Sequence, residues 1–113
     1  MNNRKATILG ALLPLAGFGV TAQTPSPAPG TSVVIASFTY TPAKLSVPVG
    51  TTIRFRNDDT DAHTVTADNG SWDSGGMDPH AVFTYTFTKP GTYTYACALH
   101  PWMRGVIVVT APQ

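Results

Sequence analysis

Apolar and polar residues alternate with a period of two through much of the chain, most clearly in two runs. Ile53 and Phe55 oppose Thr52, Arg54 and Arg56, while Phe83, Tyr85 and Phe87 oppose Thr84, Thr86 and Thr88. That period places each set on one face of a pleated strand. Gly, Pro, Asn and Asp interrupt the pattern at short intervals, and the uninterrupted runs predict strands over 33–40, 44–47, 51–56, 63–67, 81–88, 91–97 and 105–110. Lys89-Pro90-Gly91 reads as a tight turn, which predicts that 81–88 and 91–97 are antiparallel neighbours. No stretch carries the period of an amphipathic helix, so the fold class expected is an all-β sandwich. Its core should come from Ile53, Phe55, Phe83, Tyr85, Phe87, Tyr93 and the run from Val106 to Val109, with Trp72 as a core or rim aromatic.

The first 32 residues break the pattern. Asn2 to Lys5 is polar and basic, 6–20 is apolar, and Val20-Thr21-Ala22 offers small residues before Gln23, the order of an export signal over 1–22. The apolar stretch contains Pro14 and three glycines and falls short of the ~20 apolar residues a spanning helix needs. The expectation is a periplasmic or secreted protein whose mature chain has no integral membrane span; a retained anchor is the alternative. Residues 23–32 (QTPSPAPGTS) have the composition of a Pro-rich flexible linker, leaving 33–113 as one small domain.

Charge acts here by exclusion. Without Arg4 and Lys5, five basic residues face six aspartates, a net charge of −1, which provides no basic surface for nucleic acid or an anionic membrane.

The candidate chemistry begins with Cys97, the one cysteine of the chain. In an oxidising compartment an unpaired thiol must be sheltered, intermolecular or bound to something. Cys97, His100 and Met103 follow one another at C-x2-H-x2-M spacing between two predicted strands, and His63 offers a second imidazole upstream. Two imidazoles and a thiolate in a trigonal plane, with a weak axial thioether, make the blue-copper electron-transfer site. The soft thiolate holds Cu(I), imidazole suits both oxidation states, and metal binding would also occupy the thiol. His80 reads as a solvated turn residue, and Met77 as an apolar contact near the metal end.

The residues 95–105 (YACALHPWMRG), 62–66 (AHTVT), 72–75 (WDSG) and 83–95 (FTYTFTKPGTYTY) resemble the cupredoxins, specifically the amicyanin, plastocyanin and halocyanin-like group. The resemblance covers 33–110. It implies a Greek-key β-sandwich of about seven to eight strands, with His63, Cys97, His100 and Met103 as ligands of one copper ion. In many members an asparagine follows the first histidine and ties the two ligand loops together; here Thr64 holds that place, and its hydroxyl is expected to do the same less completely. The glycine-rich segment 68–79 leaves no room for a longer helical insert.

The function expected is that of a soluble one-electron carrier, not an enzyme, cycling Cu(II)/Cu(I) between extracytoplasmic redox partners. The alternative is copper delivery or sequestration without electron transfer, which favours exposed Met- and His-rich sites, whereas this chain has three of each. A multicopper enzyme would need further histidines, and a binuclear copper centre a second cysteine. Partners are expected to dock on an apolar surface around His100, formed by Leu99, Pro101 and Trp102 with Met77 extending it, while Asp58, Asp59 and Asp61 at most steer. A monomer is expected.

Overall fold

The computed structural model describes residues 31–112; the export segment 1–22 and most of the linker lie outside them. Eight strands make two four-stranded sheets. They are β1 (Ser32–Ala36), β2 (Thr39–Thr41), β3 (Lys44–Pro48), β4 (Thr52–Asn57), β5 (Thr66–Ala67), β6 (Val82–Thr86), β7 (Gly91–Ala96) and β8 (Arg104–Thr110). One sheet runs β2-β1-β4-β6 and the other β3-β8-β7-β5. Both are mixed, because β1 pairs with β4 and β3 with β8 in parallel. The all-β sandwich read from the sequence is the fold observed.

The alternation of apolar residues determines what each sheet turns inward. Ile53 and Phe55 on β4 are buried, Phe83 and Tyr85 on β6 half-buried, and Phe87 beyond β6 buried. The facing sheet contributes Tyr95, Ile107 and Val109. Trp72 is buried between the sheets, 5.0 Å from the Tyr85 ring and 5.1 Å from that of Phe87.

Three expectations change. The run 33–40 is not one strand: the chain reverses at Ser37 and Phe38, both with positive φ (51° and 57°), so that Ala36 pairs with Thr39 in a two-residue hairpin. The predicted neighbours 81–88 and 91–97 lie in different sheets, since β6 pairs with β4 and β7 with β5 and β8. The turn at 89–91 is an arch over the core, with Gly91 at φ 153°, and Phe87 and Tyr93 meet as packed rings 5.3 Å apart instead of as ladder partners. The strand expected over 63–67 shrinks to Thr66–Ala67, with His63 held by a single bridge to Met77. β1 starts one residue before the expected strand, at Ser32.

Gly105 sets a local packing limit. It stands opposite Tyr95 in the β7–β8 pair, and the Tyr95 ring lies over it. A Cβ there would sit 2.7 Å from Tyr95 Cε1 and closer still to Cζ and the hydroxyl oxygen. Gly105→Ala should therefore cost about 1–3 kcal/mol as the buried ring is forced aside. A thermal melt of the metal-free protein followed by circular dichroism checks this; an unchanged midpoint would show that Tyr95 repacks freely.

Candidate metal centre

The candidate ligands come from the loop between β7 and β8 and from the segment after β4. β7 delivers Cys97 one residue past its end, the turn at 98–102 presents His100, and Met103 immediately precedes β8. Two backbone bonds close this loop: Met103 N–H donates to His100 O at 2.9 Å and Cys97 N–H to Met103 O at 3.2 Å. The spacing C-x2-H-x2-M is thus one tight turn, and Met103 is drawn inward and buried.

His63 arrives from the opposite sheet after β4 and the turn at 58–61. A reciprocal pair of backbone bonds fixes it to Met77, His63 N–H to Met77 O at 3.1 Å and Met77 N–H to His63 O at 2.7 Å. Its ring is fully buried. Met77, expected on the surface rim, is only 3% exposed; the bridge to His63 places it inside, so it does not belong to an exposed docking patch. His80 is an exposed turn residue, as expected, with φ 71°.

The sulfur and the two imidazoles converge. Cys97 Sγ lies 3.8 Å from His63 Nδ1 and 3.6 Å from His100 Nδ1, and the three ligand atoms all lie within 4.8 Å of one another. A metal with bonds of about 2.0 Å to nitrogen and about 2.3 Å to sulfur, as at zinc, separates N from S by roughly 3.7 Å at a trigonal angle. The sulfur therefore already has that spacing from both imidazole nitrogens, and two imidazoles with a thiolate are a donor set suited to copper.

Thr64 ties the two ligand loops at two points. Its N–H donates to Cys97 Sγ at 3.3 Å, and its Oγ1 accepts from Ala98 N–H at 2.7 Å. Oγ1 is placed by Thr66 Oγ1 at 2.9 Å, and Thr66 in turn donates to Asp73. Thr64 is itself pinned, its carbonyl accepting from the buried Tyr40 hydroxyl at 2.5 Å. Burial pushes the Tyr40 phenol well above its ordinary range, with Cys97 and Tyr95 adding to it, so Tyr40 stays a donor. The Thr64 hydroxyl thus makes the inter-loop connection in the place where the resemblance expects an asparagine.

Two residues at this end, Phe38 and Asp59, have parts that the sequence reading did not assign to them. Phe38, at the tip of the β1–β2 hairpin, sets its ring edge-on to His63 (5.2 Å, 89°) and to His100 (5.0 Å, 88°). A bulky side chain at positive φ is strained, and Asp59 offsets the strain by accepting from Ser37 N–H at 2.6 Å and Phe38 N–H at 2.9 Å. Burial works against ionising Asp59, but those two donors and His63 outweigh it and hold the carboxyl below the usual carboxylate range. Asp58 instead makes a two-point ion pair with Arg56, so neither aspartate stands as a free docking charge.

Around His100 the surface is apolar. Trp102 is 70% exposed and Leu99 55%, Pro101 is exposed, and Phe38 adds a further 38%-exposed ring. The His100 and Trp102 rings lie 5.3 Å apart.

Comparison with known proteins agrees with this geometry. The family model of the Cupredoxin-like domain matches residues 7–109. Amicyanin of Paracoccus denitrificans is 35% identical, the match covering 84% of this chain and 88% of that protein. A Cu(I) form of an amicyanin variant superposes with a TM-score of 0.69 at 32% identity, covering 79% of this chain and 88% of the other. A Cu-containing nitrite reductase from Thermus scotoductus gives 0.71 at 29% identity over 80% of this chain, but that covers only 24% of the reductase. A matching family model along nearly the whole fold, amicyanin homologues and a preformed His-Cys-His cluster lead to one conclusion: the chain belongs to the cupredoxins, the blue copper proteins, and takes one copper ion as its cofactor.

Proposed function

We propose that this protein is a soluble one-electron carrier working outside the cytoplasm, with His63, Cys97, His100 and Met103 holding its copper. The observation that carries the reading is the convergence of Cys97 Sγ with two imidazole nitrogens at 3.6 and 3.8 Å. They sit on loops fastened to each other in a fold shared with amicyanin. Bound copper would supply a Cu(II)/Cu(I) couple accessible to a single electron. The protein's part is to keep the ligands still. His63, Cys97 and Met103 are buried, and the Thr64 N–H stabilises thiolate charge on Cys97 in either oxidation state. Met103, buried in the same closed turn, would complete the donor set with a thioether.

His100 is the half-buried member of the set and the way to the surface. Its rim of Leu99, Pro101, Trp102 and Phe38 suits a small, transient apolar contact, the low end of interface size at under ~1,200 Å². The leader pattern of 1–22 supports export to the periplasm or beyond. No helix among the described residues is long and apolar enough to cross a membrane. Delivery or storage of copper is the weaker reading, because Met77, Met103 and His63 are all buried and do not present a transfer surface.

The copper-loaded protein should show an intense visible thiolate-to-Cu(II) band, and Cys97→Ala should abolish both the band and redox activity while the metal-free far-UV circular dichroism stays that of a β-sandwich. Copper binding without that band would favour the storage reading. Met103→Gln, a harder oxygen donor, should lower the reduction potential and Met103→Leu should raise it, both variants remaining coloured. Equal potentials in all three proteins would remove Met103 from the ligand set. Trp102→Lys should slow electron exchange with a cytochrome in stopped-flow mixing and leave the absorption spectrum intact. A wild-type rate in that variant would move the docking face elsewhere.

A further inference from the structure

We propose that Asp59 is a positioning residue of the metal centre, one carboxylate that fixes the tautomer and orientation of His63 and seats the Phe38 ring across both imidazoles. The inference rests on the reading of His63 as a copper ligand and extends it to a residue outside the ligand set.

Each oxygen of Asp59 is committed. Oδ1 accepts from Ser37 N–H at 2.6 Å, and Oδ2 accepts both from Phe38 N–H at 2.9 Å and from His63 Nε2 at 2.8 Å. The carboxylate is only 15% exposed, so these donors replace most of its water. An acceptor at Nε2 requires the proton there, which leaves the Nδ1 lone pair free on the side facing Cys97 Sγ. A carboxylate behind a ligating imidazole also makes it a stronger donor, which favours Cu(II) over Cu(I).

Asp59 can do this because its own position is built. Its N–H donates to Asn57 Oδ1 at 3.0 Å, and the fully buried Asn57 spends its amide on Asp61 O at 2.8 Å and Met77 O at 2.9 Å. One amide side chain thus fixes the loop that carries Asp59 and the segment that bridges His63. The hairpin tip follows from the same carboxylate. With both turn N–H groups held, the Phe38 ring lies edge-on to His63 and His100 at 5.2 and 5.0 Å.

The test compares Asp59→Asn, Asp59→Ala and the control Asp58→Asn, which removes the same formal charge one residue away with no contact to His63. In metal-free protein, imidazole ¹⁵N NMR should show His63 held as the Nε2–H tautomer in the native chain, Asp58→Asn and Asp59→Asn, and mixed in Asp59→Ala. With copper, both Asp59 variants should lose about tenfold in Cu(II) affinity relative to Cu(I), a rise of about 59 mV in reduction potential. Asp58→Asn should stay near the native value. If Asp59→Ala keeps the single tautomer, or if the Asp59 potentials match that of Asp58→Asn, Asp59 only latches the turn and the proposal falls. Should native protein bind copper without the thiolate band, the electron-carrier reading fails separately, and the metal-free tautomer still decides the role of Asp59.

Discussion

Thr64 holds together two loops that the chain brings in from opposite sheets, and the rest of the metal centre depends on that connection. Its N–H points at Cys97 Sγ and its hydroxyl oxygen receives Ala98 N–H. A thiolate and an imidazole carried on separate loops would otherwise drift by the motion of each loop. Here the sequence neighbour of one donor is bonded to the other donor itself and to the residue that follows it. The same residue is fastened from below by Tyr40, a side chain of the core, so the site inherits the rigidity of the sandwich. A couple that gains and loses an electron with little rearrangement needs this kind of frame.

Electrostatics at this end of the molecule is local. Arg56 pairs with Asp58, Arg104 with Asp68, and Asp59 is turned to backbone donors and His63. The surface around His100 is made of rings and aliphatic groups, those of Phe38, Leu99, Pro101 and Trp102. Such a surface can be desolvated quickly and released quickly, because no ion pair has to be stripped of water.

How much could be read from the sequence differs by residue. The faces of β4 and β6 were legible because period two is a property of the strand alone. The turn that carries Cys97, His100 and Met103 was legible because residues at so short a spacing between two strands have to share one loop. The split at Ser37 and Phe38 was not, since the Val, Ile, Phe, Thr and Tyr residues around it are strand formers and the reversal is held by Asp59, about twenty positions away. The sheet change after β6 was hidden because a Lys-Pro-Gly turn serves a hairpin or an arch equally well; inter-sheet packing of Phe87 against Tyr93 and Trp72 decides it. Met77 was placed at the right end of the molecule but on the wrong side of its surface, because flanking glycines suggest exposure and give no sign of the bridge to His63.

The parallel pairings of β1 with β4 and of β3 with β8 have a directional consequence. β4 runs toward the metal loops, so β1 does too, and Ser32 lies at the far end of its strand. β8 starts at Arg104 beside Met103 and runs away, ending at Thr110. Both ends of the domain therefore leave from the pole opposite His100. A tether attached at either end of the domain would start at the back and leave the apolar rim of Leu99, Pro101, Trp102 and Phe38 uncovered.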